Sequence, residues 1–204
     1  MIFDHETAAE VADELAEEIA GYGDGPEYDA ILAFGAFSYP GNKRANEAMM
    51  RVRRKLDAGL GEHLFGEYRT CKIGITQDVS DVEIAMQGAR FKTLILAALM
   101  MGVGAKITDT QKAHLRKVCA IYDGFLPECG VVGSGERQFL FALRTYTAGK
   151  PRDWTRLNCY TCGRTSQDTG AEPFRCPGEC WNFFCNEDCQ QRLSHVCDSD
   201  YIEE

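Results

Sequence analysis

The chain has 204 residues, 45% of them apolar and 26% charged. That suits one ordinary domain with a small appendage and excludes a disordered, collagen-like or fibrous chain. Twenty-two basic against 31 acidic side chains leave a net charge of −9, the wrong sign for a surface that tracks a phosphate backbone throughout.

The opening residues show no basic stretch followed by an apolar one, so no signal or transit peptide is expected. The longest apolar run, Leu94 to Val103, is too short to cross a hydrocarbon core of about 30 Å. It reads as a buried helix segment, and the expected protein is intracellular, in cytoplasm or nucleus, without a membrane partner.

In residues 7–20, Ala8, Ala12, Leu15 and Ile19 recur at helical spacing while acidic residues fill the other face, which predicts an amphipathic helix. It stops at the glycine-rich turn 21–26. Residues 28–37 form a short apolar run, read as helix because of Ala30, Ala33 and Ala36. After Pro40 and Gly41, Asn42 caps a helix expected to reach about Leu60, with Ala45, Ala48, Met49, Val52 and Leu56 as its buried stripe.

That third helix also carries Lys43, Arg44, Arg51, Arg53, Arg54 and Lys55. They are either a nucleic-acid or acidic-partner patch or a solvated face, the latter favoured by Glu47 one turn before Arg51. A glycine-rich connection, 59–74, follows, with an extended segment over 68–75. Ser80 and Glu83 mark a capping box opening a helix to about Gly102, and Thr108 and Gln111 mark another, opening a helix through Leu115, Val118 and Tyr122. A last helix spans about 135–148, with Phe139, Leu140, Leu143 and Tyr146 inward. The expected domain, residues 1–150, has five or six helices, and residues 149–153 form a protease-sensitive linker.

The remainder, 154–204, is set apart by its cysteines: seven of the ten in the chain fall between Cys159 and Cys197. Cys71, Cys119 and Cys129 are isolated and read as small buried hydrophobes. His5, His63 and His114 have no spacing to one another or to a cysteine and are assigned no chemistry. The tail runs Cys159-x2-Cys162-x13-Cys176-x3-Cys180-x4-Cys185-x3-Cys189-x5-His195-x1-Cys197. Eight ligands in four close pairs are what two tetrahedral zinc ions require. Alternation along the chain favours a cross-brace: Cys159, Cys162, Cys185 and Cys189 on one Zn2+, and Cys176, Cys180, His195 and Cys197 on the other. Asn186 is placed to cap a short helix that returns Cys189 to the metal of Cys185. Phe174, Trp181, Phe183 and Phe184 supply a tiny core, so the metals contribute most of the folding energy.

This ligand string, with Gln190 directly after the sixth ligand, resembles the MYND-type zinc finger. Ser194 stands where that family has a Trp, and the final pair is closer together. The His195-x1-Cys197 ending, Phe184 before Cys185, and Asp200 with Tyr201 are similar to the AN-type finger of stress-associated proteins. Either resemblance implies a small two-zinc treble clef after the helical domain, in a mainly α chain.

The MYND resemblance implies a non-enzymatic adaptor or regulator that binds a protein or peptide partner. The expected contact surface is Phe183, Phe184, Gln190 and Gln191. The AN-type resemblance implies a ubiquitin- or stress-linked binding module. A nucleic-acid-binding regulator or nucleoprotein using the basic helix 43–55 is the alternative from a different class. Eight protein ligands leave neither zinc an open position for a catalytic water, and no methyl-donor motif is evident in the first 150 residues, so no enzyme is expected.

Overall fold

A computed structural model describes residues 5–21, 25–35, 43–69, 79–121, 134–177 and 182–192. It is mainly helical. The first part contains α1 (His5–Ala20), α2 (Pro26–Gly35), α3 (Lys43–Lys55), α4 (Gly61–Arg69), α5 (Val79–Val103), α6 (Asp109–Ile121) and α7 (Ser134–Thr145). No helix among the described residues is long and apolar enough to cross a membrane.

The centre is α5. Leu94 to Met101 is buried without interruption, as expected of a helix that is apolar all round and surrounded by others. Against it lie α1 through its stripe of Val11, Ala12, Leu15, Ala16 and Ile19, α3 through Ala45, Ala48, Met49 and Val52, and α7 through Phe139, Ala142 and Leu143. Gly102 lets the Phe34 ring of α2 lie directly on α5, because a Cβ there would meet Phe34 Cε2 at 2.6 Å. Polar ties hold the rim: Asp13 accepts from Tyr28, Glu18 accepts from Tyr68, Glu14 pairs with Lys92, and Lys55 Nζ donates to the Ile19 carbonyl at 2.9 Å.

Among the described residues of this part there are seven helices where five or six were expected. At Leu56–Leu60 the helix kinks, with Gly59 at a non-helical φ of 113°, and the chain resumes as α4 where a glycine-rich connection was expected. Tyr68 and Arg69 are therefore helical, not extended. Gly61 is closely packed: a Cβ there would lie 3.0 Å from Met100 Cε and 3.2 Å from Leu56 O. The capping box at α6 is present, with Thr108 N donating to Gln111 Oε1 at 2.8 Å and Gln111 N to Thr108 Oγ1 at 3.2 Å. Ser80 and Glu83 lie inside α5, though nothing is described of their side chains, and the expected ends of helices near Phe37, Tyr122 and Gly124 lie outside the described residues.

The basic helix is paired differently from the expectation. Arg51 pairs with Glu27 of α2, whereas Glu47 lies 3.9 Å from Lys43, and Arg53 lies 3.3 Å from Asp57. Glu27 is held below the usual carboxylate range chiefly by its hydrogen bond from Arg51.

Residues 149–154 do not hang free. Helix α5 ends in a Schellman arrangement, with Ala105 N donating to Met100 O at 2.8 Å, Gly104 N to Met101 O at 3.2 Å, and Gly104 at φ 76°. The returning chain adds donors at this end: Gly149 N donates to Gly104 O and Arg152 N to Met101 O, both at 2.9 Å, and Trp154 Nε1 donates to Ala98 O at 3.0 Å. Trp154 is buried in the helical core, stacked on Phe139 with ring centroids 6.3 Å apart.

Beyond Trp154 come a short helix α8 (Ser166–Thr169), two paired two-residue strands, β1 (Phe174–Arg175) and β2 (Phe183–Phe184), and α9 (Glu187–Gln191). The strands are antiparallel, with Phe174 opposite Phe184 and Arg175 opposite Phe183. A second, small core forms here from Cys159, Tyr160, Cys176, Phe184 and Cys189. Phe174 is 38% exposed, so it flanks this core instead of filling it, and Tyr160 takes a place the sequence reading had not assigned. Trp181 lies outside the described residues.

Candidate metal centre

Two tight turns present four cysteines to one point. In the first, the backbone from Asn158 to Thr165 doubles back, with Cys159 N donating to Arg164 O at 2.7 Å and Gly163 N to Cys159 O at 2.8 Å. Gly163, at φ 73°, is required twice over, because a Cβ would also lie 2.2 Å from the Arg137 carbonyl oxygen of α7. The second follows β2. Asn186 caps α9 by accepting from Cys189 N at 2.9 Å, and Glu187 and Asp188 occupy the first turn, where the helix dipole favours negative charge. The cap aims Cys189 back at Cys185.

The two turns are stitched together by Tyr160 N donating to Phe183 O at 2.8 Å and Thr161 Oγ1 to Cys189 O at 2.6 Å. As a result the sulfurs of Cys159, Cys162, Cys185 and Cys189 all lie within 4.8 Å of one another. Cys185 Sγ is 3.6 Å from both Cys162 Sγ and Cys189 Sγ. A disulfide would bring sulfurs to about 2.05 Å. A tetrahedron with metal–sulfur bonds of about 2.3 Å has edges of about 3.8 Å, so the spacing fits thiolates around an ion, and four such cysteines can hold one.

The thiols differ in their electrostatics. Burial pushes the Cys159 thiol up, but backbone N–H groups of Cys162 and Cys185 hydrogen-bond its sulfur and hold it below the ordinary thiol value. Burial pushes Cys185 up, helped by hydrogen bonds with Cys189 and Cys162. Burial likewise pushes Cys189 up to about 11, against a hydrogen bond from Cys185. Four ionised sulfurs at this separation repel one another until a cation neutralises them.

Of the other sequence-predicted ligands, Cys176 is described and buried, with its backbone N donating to Asn182 O at 2.8 Å and Gln190 Nε2 3.8 Å from its sulfur. Cys180, His195 and Cys197 lie outside the described residues. Cys119 is buried in the helical core, where burial, and then the nearby Glu136, push its thiol up to about 12. Cys71 and Cys129 lie outside the described residues, and nothing is described of the His5 side chain. His63 is 3.5 Å from Glu67 on the surface of α4, and His114 is half-buried on α6.

The four expected contact residues are not equivalent. Phe184 is wholly buried and packs 6.2 Å from Phe174, centroid to centroid, so it offers no surface. Phe183 and Gln190 are half-buried and Gln191 is exposed.

What sequence reasoning missed is how firmly the cysteine turns sit on the helices. Arg137 Nη1 donates to Tyr160 O at 2.8 Å, its guanidinium lies 5.2 Å from the Tyr160 ring centroid, and Arg164 lies over Phe141 at 5.6 Å. Arg152 Nη1 pairs with Asp168 Oδ1 of α8 at 2.6 Å. Burial pushes the Asp168 carboxyl up, but that bond and others from Thr165 more than offset it, holding the group below its ordinary range. No protein-family model, curated protein or solved structure matches the chain.

Proposed function

We propose that the chain is a non-enzymatic, zinc-stabilised adaptor or regulator that engages a protein or peptide partner through its C-terminal finger, residues 154–204. The observation that carries this reading is the convergence of Cys159, Cys162, Cys185 and Cys189. Four protein thiolates complete a tetrahedral shell, which is the composition of a structural site and leaves no position for a catalytic water. Zinc fits this donor set as a soft-ligand, tetrahedral ion. When bound, it would fix the hairpin β1–β2 and α9 against each other.

The second ion of the proposed cross-brace would be held by Cys176, Cys180, His195 and Cys197, making the finger a two-zinc treble clef similar to the MYND or AN type. A small module fixed by metal presents side chains with little ordering cost on binding. The contact surface is then Phe183 and Gln191 with exposed Phe174, while Gln190 leans on Cys176 and Phe184 fills the core. The alternative, nucleic-acid binding by α3, draws support from the exposure of Lys43, Arg44 and Arg54. The ion pairs on Lys43, Arg51 and Arg53 weaken it.

Affinity capture with full-length protein separates these readings. Paired Gln190→Ala and Gln191→Ala, with metal content intact, is expected to lose the partner; Arg53→Glu with Arg54→Glu is expected to keep it. The reverse pattern would move the binding function to α3.

A further inference from the structure

Where the helical body meets the finger, one charged side chain is left incompletely satisfied. Arg152 is 8% exposed at its side chain. Its Nη1 is taken by Asp168, and its guanidinium lies 5.8 Å from the Trp154 ring centroid. Nε and Nη2 are buried and have no hydrogen-bond partner among the described residues. Those two N–H groups form one edge of the guanidinium, the edge that pairs side by side with two oxygens of a carboxylate. A buried donor edge left unpaired is costly and calls for an occupant.

Arg152 also lines a groove of about 510 Å3 with walls from Phe34, Met49 and Trp154. That volume and lining are those of ligand-binding clefts, which are mostly apolar with a few fixed polar groups. Met50, 51% exposed, stands at the rim with Asn46. Both residues also line a second, shallower groove of about 470 Å3 along α3, whose other walls include Lys43, Arg51 and Arg54. The two grooves thus adjoin at Asn46 and Met50, one walled mainly by apolar residues and the other mainly by basic ones.

We propose that this double groove binds an acidic peptide segment of a partner protein. An aromatic or aliphatic side chain sits between Phe34, Met49 and Trp154, Arg152 shifts to turn its Nε–Nη2 edge out to a carboxylate, and a further acidic side chain lies over Arg54, beyond the ion-paired Lys43 and Arg51. A peptide fits better than nucleic acid. Asp153 and Glu47 also line the grooves and would oppose a continuous phosphate backbone, whereas spaced carboxylates with an apolar residue between them avoid that conflict. The site lies on the helical body and is independent of the finger surface proposed above.

The test is selection of a random seven-residue phage-displayed peptide library on the full-length protein, followed by fluorescence polarisation of the most enriched peptide. Enrichment of acidic peptides carrying an aromatic or aliphatic residue is expected. Arg152→Lys keeps the charge but not the paired edge and should weaken binding about tenfold or more. Met50→Glu is at an exposed position that leaves the fold undisturbed; it should weaken binding comparably, and it decides the matter alone if the Arg152 variant does not fold. Paired Gln190→Ala and Gln191→Ala should have no effect. No enrichment, enrichment without acidic bias, unchanged affinity in Met50→Glu, or displacement of the peptide by a single-stranded RNA oligomer would overturn the proposal.

Discussion

Replacing Gly163 by Ala tests whether the cysteine turns are built onto the helical body. The new Cβ would lie 2.2 Å from Arg137 O, 2.4 Å from Arg137 C and 2.6 Å from Gln138 N, all backbone atoms of α7 that no side-chain rotation can move. Relief requires the turn to retreat by roughly 1 Å to reach ordinary contact distance. That retreat breaks the 2.8 Å bond from Arg137 Nη1 to Tyr160 O, a charge-assisted bond contributing about 1.5–3 kcal/mol. The left-handed backbone adds about 1–2 kcal/mol for any residue with a Cβ. The expected loss is therefore about 2.5–5 kcal/mol.

Gly170→Ala is the internal control. Gly170 has nearly the same backbone, φ 75°, but nothing lies within 4 Å of its would-be Cβ, so only the conformational cost of about 1–2 kcal/mol applies. Urea unfolding of both variants in zinc-containing buffer reads the difference. Equal losses for the two glycines would refute the packing of the turn on α7.

Cys159→Ser should lower the bound zinc by one ion per chain by elemental analysis, while Cys119→Ala, in the apolar core, should leave it unchanged. Chelation should remove the finger's contribution yet keep most of the far-ultraviolet helical signal, because the helical core includes none of the clustered cysteines; cooperative loss of all helix would contradict this. His114 is held below its ordinary value of 6.5 by burial first, then by Arg69 and Lys117. The unfolded chain therefore binds the extra proton first, and stability should fall as pH drops below about 6.5. Unfolding midpoints of His114→Gln measured over the same range should show a smaller fall.

The parts of the fold legible in sequence were those set by local spacing. The stripes of α1, α3 and α7, the Thr108–Gln111 box and the Asn186 cap depend on residues within a turn or two of each other. The cysteine quartet was legible for the same reason, since each pair is held in one tight turn and the alternation of pairs names the partners. What escaped depends on distant chain. Gly59 and Gly61 look like linker residues, but one makes a kink between helices and the other packs against Met100. The 149–154 segment looks like a tether, but its N–H groups meet carbonyls in and just past the last turns of α5, about 45 to 56 residues away. Arg152 carries no motif at all, and only its burial without partners on one edge draws notice.

The central claim is that the four thiols of Cys159, Cys162, Cys185 and Cys189 jointly hold one zinc ion. Crystallography of protein purified under reducing conditions, with data collected at the zinc absorption edge, tests it directly. The account predicts an anomalous peak about 2.3 Å from each of the four sulfurs. The absence of a peak there, or a sulfur–sulfur bond of about 2.05 Å between any two of them, would contradict it.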